Sequence, residues 1–377
     1  MEALEQIRNP KLARALLAEV RALADKLGRP QTFMEVCGTH SHVIARCGLR
    51  EALGGAVRLV SGPGCPVCVT SVGEIDAAIA LARTPNTIVC TFGDMMRVPG
   101  SESSLAAERA AGAQVRVIYS PMEAVELARR KRGARVALIA VGFETTAPAI
   151  ACAARAALEG GVNNFAIMCS HKLIPPALDA LLASGEVALD GLICPGHVST
   201  VIGSRAYEEL SRRHGVPCVV AGFEPADVLL ALRLLLRQRL EGRAEVENAY
   251  GRAVKPEGNV RAQEAMAEVF EPCDAQWRGL GTIPQSGLRL REKYAELCAL
   301  RQAGIEVKPG REHPACHCGE VLRGVLRPAE CPVFGKACTP ERPLGPCMVS
   351  SEGACAAEYK YGRLRAKAAE KVGASDG

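Results

Sequence analysis

Val57-Arg58-Leu59-Val60-Ser61-Gly62-Pro63-Gly64-Cys65-Pro66-Val67-Cys68 is the stretch that decides how this chain is read. Val57, Leu59 and Val60 are apolar, and the two valines β-branched, which suits a pleated, half-buried surface. Gly62, Pro63 and Gly64 then break the chain, and a helical pattern begins near Ser71. Strand, Gly/Pro loop, helix is the repeating unit of a parallel sheet with crossover helices.

The unit recurs on both sides. Further apolar runs at 32–36, 87–90, 115–119, 135–141, 165–169, 191–194 and 217–220 end in polar loops rich in Gly or Pro. The pattern predicts an α/β protein with two Rossmann-like parallel-sheet domains and a smaller Cys-rich, mainly helical or loop domain. The expected divisions are an N-terminal amphipathic helix packing on the rest over 1–29, one α/β domain over 30–120, a second over 121–232, and the Cys-rich domain over 233–377. The boundary near 118–122 is placed at Tyr119-Ser120-Pro121. Val141-Gly142-Phe143-Glu144 and Ala221-Gly222-Phe223-Glu224 form a weak internal echo.

In open α/β sheets, ligands bind beyond the carboxyl ends of the strands. The loops there are Cys37-Gly38-Thr39-His40, Gly62-Pro63-Gly64-Cys65, Phe92-Gly93-Asp94, Gly142-Phe143-Glu144-Thr145, Ser170-His171-Lys172 and Pro195-Gly196-His197. They are expected to share one edge of each sheet and to converge on a cleft.

The chain has 377 residues and 48% hydrophobic residues, enough for packed cores and too apolar for disorder. Its 46 basic and 41 acidic residues leave a net charge of +5, too even to argue for a nucleic-acid surface. Arg129-Arg130-Lys131-Arg132 reads as a solvated helix end. No secretory signal is visible, and the most apolar candidate span, 228–240, is broken by Arg233 and Arg237. The expectation is a soluble, cytoplasmic protein that engages neither nucleic acid nor membrane. Tail residues 366–377 read as charged and frayed. Walker A, G-x-G-x-x-G and C-x-x-x-C-x-x-C motifs are absent, so nucleotide hydrolysis, dinucleotide binding and radical chemistry of that type lack support.

Seventeen cysteines in such a chain point to metal or redox chemistry rather than structural disulfides. Cys316, Cys318, Cys331, Cys338, Cys347 and Cys355 fall in a segment dense in Pro and Gly, where a metal centre can offset the entropy of ordering. Their wide spacing suits a [4Fe-4S] cluster better than a zinc ribbon; zinc and plain buried thiols are the competing readings. Cys65 and Cys68 form a C-x-x-C at a helix start, a redox arrangement in which the helix dipole favours thiolate, or else half a zinc site. Cys37 and His40, three apart on a strand-end loop, suit a soft metal, a catalytic pair or a buried structural pair. His171 and His197 read first as structural histidines, and Asp94 and Glu144 as helix caps or loop braces. Cys47, Cys90, Cys152, Cys169, Cys194, Cys218, Cys273 and Cys298 read as inert core thiols.

Together these segments resemble the HypD family of hydrogenase maturation proteins. The resemblance is carried by residues 37–40, 62–68, 91–100, 142–148, 171–176, 195–203 and 334–355, the last with Cys347-Met348-Val349-Ser350-Ser351-Glu352-Gly353. It implies two α/β domains and a third carrying a [4Fe-4S] cluster. It further implies a complex with the small partner HypC, which together with this chain holds an iron that acquires cyanide and carbon monoxide. Cyanide is implied to come from the carrier HypE in a transient encounter. The family's C-x14-C-x6-C-x16-C spacing falls on Cys316, Cys331, Cys338 and Cys355, its C-x-x-C on Cys65 and Cys68, and its iron-site cysteine on Cys37. His40 is then a second ligand, a proton donor or a brace, and Cys318 and Cys347 are left over. The implied role is a scaffold for the transient Fe(CN)2CO unit with redox support, an accessory factor rather than a conventional turnover enzyme. The competing functions are a self-standing, cluster-linked thiol–disulfide oxidoreductase and a zinc-stabilised interaction protein.

Overall fold

The computed structural model describes residues 7–362. The strands β1 (Gln31–Glu35), β2 (Val57–Ser61), β3 (Thr87–Thr91), β4 (Gln114–Val117), β5 (Arg135–Gly142), β6 (Phe165–His171), β7 (Gly191–Pro195) and β8 (Cys218–Ala221) lie where the apolar runs place them. A ninth, β9 (Val246–Asn248), is added to them. Five of these strands form a parallel sheet in the order β2-β1-β7-β8-β9, and four form another in the order β4-β3-β5-β6.

The sheets do not divide the chain into consecutive halves. β3 and β4 pair with β5 and β6, so residues 118–122 fall inside the four-stranded sheet. The chain leaves the five-stranded sheet after β2 and re-enters at β7, which pairs with the other side of β1. Apolar runs locate strands but do not specify neighbours, and the helix Val72–Arg83 carries the chain across. The expected boundary at 232 likewise cuts the helix Pro225–Glu241, which covers the five-stranded sheet. The Cys-rich part is mainly helix and loop, and the antiparallel hairpin β10 (Phe270–Trp277) and β11 (Gly281–Leu290) is its chief sheet element. β5 borders the switch point of its sheet and β8 does not, so the Gly-Phe-Glu echo falls on inequivalent places.

Side chains alternate between two faces along each strand. Met34, Val60, Leu192 and Val220 of one sheet and Val89, Ala137, Ile139 and Met168 of the other enter a single central core with the helices Val72–Arg83 and Ile174–Ser184. The alternate residues Phe33, Leu59, Ile193 and Val219 pack outward on the helices Pro10–Asp25 and Pro225–Glu241. Val136, Leu138, Phe165 and Ile167 pack outward on Pro121–Arg130, Ala147–Glu159 and the hairpin. Burying strands on both faces is what makes them read as continuous apolar runs.

The helix Pro10–Asp25 starts where the Asn9 side chain accepts the Lys11 N–H at 2.9 Å. Val72–Arg83 starts with a capping box between Ser71 and Glu74. No helix among the described residues is long and apolar enough to cross a membrane. Residues 366–377 lie outside the described residues.

Candidate functional site

The parallel topology puts every strand-end loop of a sheet on one edge. In the five-stranded sheet the connections reverse between β1 and β7, and in the four-stranded sheet between β3 and β5. Cys37 ends β1 at the first of these crevices. The Cys37 loop and the Gly62-Pro63-Gly64 loop lie backbone against backbone. The Gly38 amide donates to the Gly64 carbonyl at 2.9 Å, and the Gly62 amide to the Glu35 carbonyl at 2.8 Å. A Cβ on Gly64 would sit 2.2 Å from the Cys37 nitrogen, so only glycine permits this approach.

Cys65 and Cys68 are bonded to each other, with their Cα atoms 5.2 Å apart, at the start of the short helix Pro66–Val69. The Cys68 amide donates to the Cys65 sulfur at 3.2 Å. A second disulfide joins Cys318 to Cys347, the two cysteines that the resemblance left over. Both disulfides belong to the central core, and the helix Pro346–Val349 packs on Pro66–Val69.

Cys37 is buried rather than accessible, at 7% exposure. Burial, and then the nearby Glu352 carboxylate, push its thiol up to about 12, against backbone hydrogen bonds from Thr39 and His40. Glu35 accepts from the Cys37 amide at 3.1 Å and from the Ser41 hydroxyl, and burial raises its carboxyl to about 7. His40 is fully buried and its Nε2–H donates to the Gly222 carbonyl at 2.9 Å, tying the β1 loop to the β8 loop. Burial holds its pKa down to about 4 and its Nδ1 has no partner, so the geometry is that of a neutral brace. Phe223 stacks between His40 and His197, with ring centroids 4.9 and 3.9 Å away.

The Cys-rich segment reaches this edge through residues 350–352. A Cβ on Gly38 would lie 2.4 Å from the Glu352 carbonyl, and Thr39 donates to Glu352 at 3.4 Å. From the other sheet, Asp94 accepts from the Ser350 hydroxyl at 2.8 Å and from the Ser351 amide at 3.1 Å. Asp94 is thus a loop brace between the β3 end and the Cys-rich segment. Glu144 braces its own crevice by accepting the Ile174 amide at 2.9 Å. His171 is buried against Phe270, with neither ring nitrogen partnered, and its pKa falls to about 3 through burial and the neighbouring Lys172.

Cys316, Cys331, Cys338 and Cys355 line one cavity, walled otherwise by the Cys318–Cys347 disulfide, Val321, Val333, Phe334 and Met348. Burial, then the proximity of the Cys338, Cys316 and Cys331 thiols, raises Cys355 well above the ordinary range. A Cβ on Gly345 would meet the Cys316 sulfur at 2.4 Å, and the Leu344 amide points at the Cys338 sulfur at 3.5 Å. The donor set fits a soft, cationic centre: four thiols in an apolar wall, whose thiolates would repel one another unless a cation lay between them. Among the described residues no three His, Cys, Asp or Glu side chains stand in metal-holding geometry.

Of the cysteines expected to be inert, Cys90, Cys194 and Cys218 are buried, whereas Cys47 and Cys152 are exposed and Cys169, Cys273 and Cys298 half-buried. Helix faces and strand ends left these thiols outside the core. Sequence reasoning missed Glu35 and Glu352. Glu352 stood within the matched segment 334–355, but nothing local placed it beside Cys37.

A family model described as HypD, hydrogenase formation hypA family, matches residues 11–362. The hydrogenase maturation factor HypD of Azotobacter vinelandii is 49% identical over 372 residues, covering 97% of this chain and 98% of that protein. The factors of the same name from Rhizobium leguminosarum and Cupriavidus necator are each 47% identical, over 97% of this chain and 97% and 98% of their own length.

Proposed function

The chain belongs to the HypD family and so has a role in hydrogenase maturation, and from that premise we propose that it is the scaffold on which the iron of the Fe(CN)2CO group is held. HypC is the partner in this complex and HypE the transient source of cyanide. The observation that carries the reading is the meeting of three elements at one sheet edge: the Cys37 loop, the Cys65–Cys68 turn, and the 350–352 segment leading to the cysteine-lined cavity.

Each part has a distinct task in this reading. Cys37 offers the soft thiolate donor that a low-spin iron with strong-field ligands prefers, and the iron is cargo. His40 fixes the loop through Gly222 and stays neutral. The Cys65–Cys68 bond can open to two thiols, taking up two electrons and two protons, and close again. Cys316, Cys331, Cys338 and Cys355 would hold a [4Fe-4S] cluster, which when bound supplies one-electron transfer. Cys318 and Cys347, already bonded to each other, leave that ligand set to the other four.

The test is Cys37→Ala purified anaerobically with HypC. It should keep its iron–sulfur colour and lose the infrared bands of iron-bound cyanide and carbon monoxide. Bands at wild-type intensity would remove Cys37 from the site. The preformed Cys65–Cys68 disulfide also favours a second reading, a self-standing thiol–disulfide oxidoreductase. That protein would reduce a protein disulfide without HypC and carry no such bands.

A further inference from the structure

Arg278 sits in the hairpin turn after β10 and is 4% exposed. Its Nε donates to the Thr70 carbonyl at 3.0 Å, and its Nη2 has no partner. Two of the carboxylates near it are committed elsewhere, and the third, Glu312, acts on it most strongly but is not bonded to it. Glu74 pairs with Lys172 at 2.7 Å, and Asp76 accepts from the Ser101 amide and hydroxyl at 2.8 and 2.5 Å. Glu312 stands at the exposed rim. A buried guanidinium without a bonded anion is unfavourable, and such groups are kept where an anion is to be met.

Arg278 lines a cavity of about 420 Å3 with Val72, Pro99, Ser101, Arg311 and His313. Its wall is built tightly. A Cβ on Gly73 would lie 2.1 Å from the Lys308 carbonyl, and one on Gly310 2.5 Å from Val72, so residues 308–310 lie directly on the start of the helix Val72–Arg83. The Ser101 hydroxyl accepts the Arg311 amide at 2.8 Å, which pins the rim. Among the described residues the Arg311 side chain pairs only with Glu102, both 75% exposed, a contact weak enough to be exchanged. Ser101 and Arg311 also line a second cavity, of about 630 Å3, along the same helix.

We propose that this cavity binds a small organic oxoanion, a carboxylate or a phosphate monoester, with Arg278 as the fixed anchor and Arg311 as the second cation. The guanidinium matches the oxygens of both groups, and with Nε spent on Thr70 and Nη2 closed off from solvent, the ligand meets Nη1 first and reaches Nη2 as the side chain turns toward it. Val72 and Pro99 give the organic body an apolar wall. Two arginines in the lining disfavour a metal cation. The inference is independent of the scaffold reading, since no part of it uses Cys37 or the iron cargo.

The experiment is anaerobic calorimetry on the full chain with its iron–sulfur centre loaded, at constant ionic strength, with acetate in one arm and methyl phosphate in the other. One arm should give a saturable one-to-one isotherm and thereby name the class. Arg278→Lys, which keeps the charge but loses the fork, should weaken it about tenfold, and Arg311→Gln about threefold. If Arg278→Lys does not fold, Arg311→Gln at the exposed rim carries the test. The proposal is overturned if neither probe saturates below about 10 mM. It is also overturned if Arg311→Gln binds as the wild type does. Binding only in iron-stripped protein would overturn it as well, because Arg278 lies close enough to Cys316 to be that centre's countercharge.

Discussion

Gly64→Ala tests whether the Cys37 loop and the Cys65–Cys68 turn are one mechanical unit. The added Cβ would lie 2.2 Å from the Cys37 nitrogen and 2.3 Å from the Val36 carbonyl carbon. An unstrained contact is about 3.5 Å, so the two loops must part by roughly 1.3 Å. Opening by that much breaks the 2.9 Å bond from the Gly38 amide to the Gly64 carbonyl in a buried place. Overpacking of this kind costs about 1–3 kcal/mol and an orphaned buried amide about 1–3 kcal/mol, so the expected loss is about 3 kcal/mol. Gly55→Ala is the control, because its Cβ would meet nothing within 4 Å and should change stability by less than about 0.5 kcal/mol. Anaerobic urea unfolding measures both, and alkylation of Cys37 should be faster in Gly64→Ala. If the two variants unfold within about 0.5 kcal/mol of each other, the loops are not in the contact described.

Lys172 is 2% exposed in its side chain and holds Glu74 at 2.7 Å. Lys172→Met should cost about 3–5 kcal/mol in urea unfolding, and the double variant Lys172→Met/Glu74→Gln less, because the charge left unpaired is then removed. Glu35 has a folded pKa of about 7, above its ordinary 4.5, so its contribution is fully present below about pH 4.5 and is lost as pH rises through 7. That loss is up to about 3 kcal/mol, and Glu35→Gln should remove it, so the wild-type-minus-variant stability falls between pH 4.5 and 7; a flat difference would refute the shift. Asp94→Ala releases Ser350 and Ser351, and hydrogen exchange should rise across 347–353 while the β5 and β6 amides keep their protection.

Most of the eight strands were legible because they are buried on both faces, which leaves a nearly unbroken apolar run, whereas β4, with Gln114 and Arg116 exposed, showed only the alternation of a half-buried strand. β9 was not legible, since Val246-Glu247-Asn248 is short, polar and half-buried. The hairpin was not legible either: residues 270–277 alternate in exposure with a period of two and Gly279 and Gly281 take φ of 78° at the turn, but Pro272 and Asp274 dilute the strand pattern in the sequence. Sheet membership was hidden. β2 and β3 are adjacent in sequence yet belong to different sheets, and nothing in either run names its neighbour. At the site, Cys37, Cys65 and Cys68 stood out by type and spacing. The Cys318–Cys347 bond did not, because its partners are 29 residues apart and the loop between them has no local pattern. Glu352 meets Cys37 only through tertiary packing, across more than three hundred residues of chain.

The surroundings of Cys37 bear on the scaffold role through the sign of charge. Burial and the carboxylates of Glu352 and Glu35 all oppose a thiolate, and together they raise the thiol to about 12. A bare anionic sulfur is therefore the least favoured species in this crevice, and the free protein is protected from oxidation at that atom. A bound dication reverses each influence. The sulfur then belongs to a metal–thiolate pair, so the charge being buried is smaller, and carboxylates that repelled the thiolate attract the cation. Under the proposed role, the residues that silence the Cys37 thiol are those that favour its thiolate once iron is delivered. Glu352 matters most among them because it comes from the segment that also carries the cavity cysteines. Its carboxyl, itself raised by burial, accepts the Thr39 hydroxyl beside Cys37. Asp94 holds the same segment from the other sheet at Ser350 and Ser351. Loosening residues 350–352 would then be felt at once by the Cys37 thiol and by the cysteine-lined cavity, a coupling through contact that requires no change in either sheet.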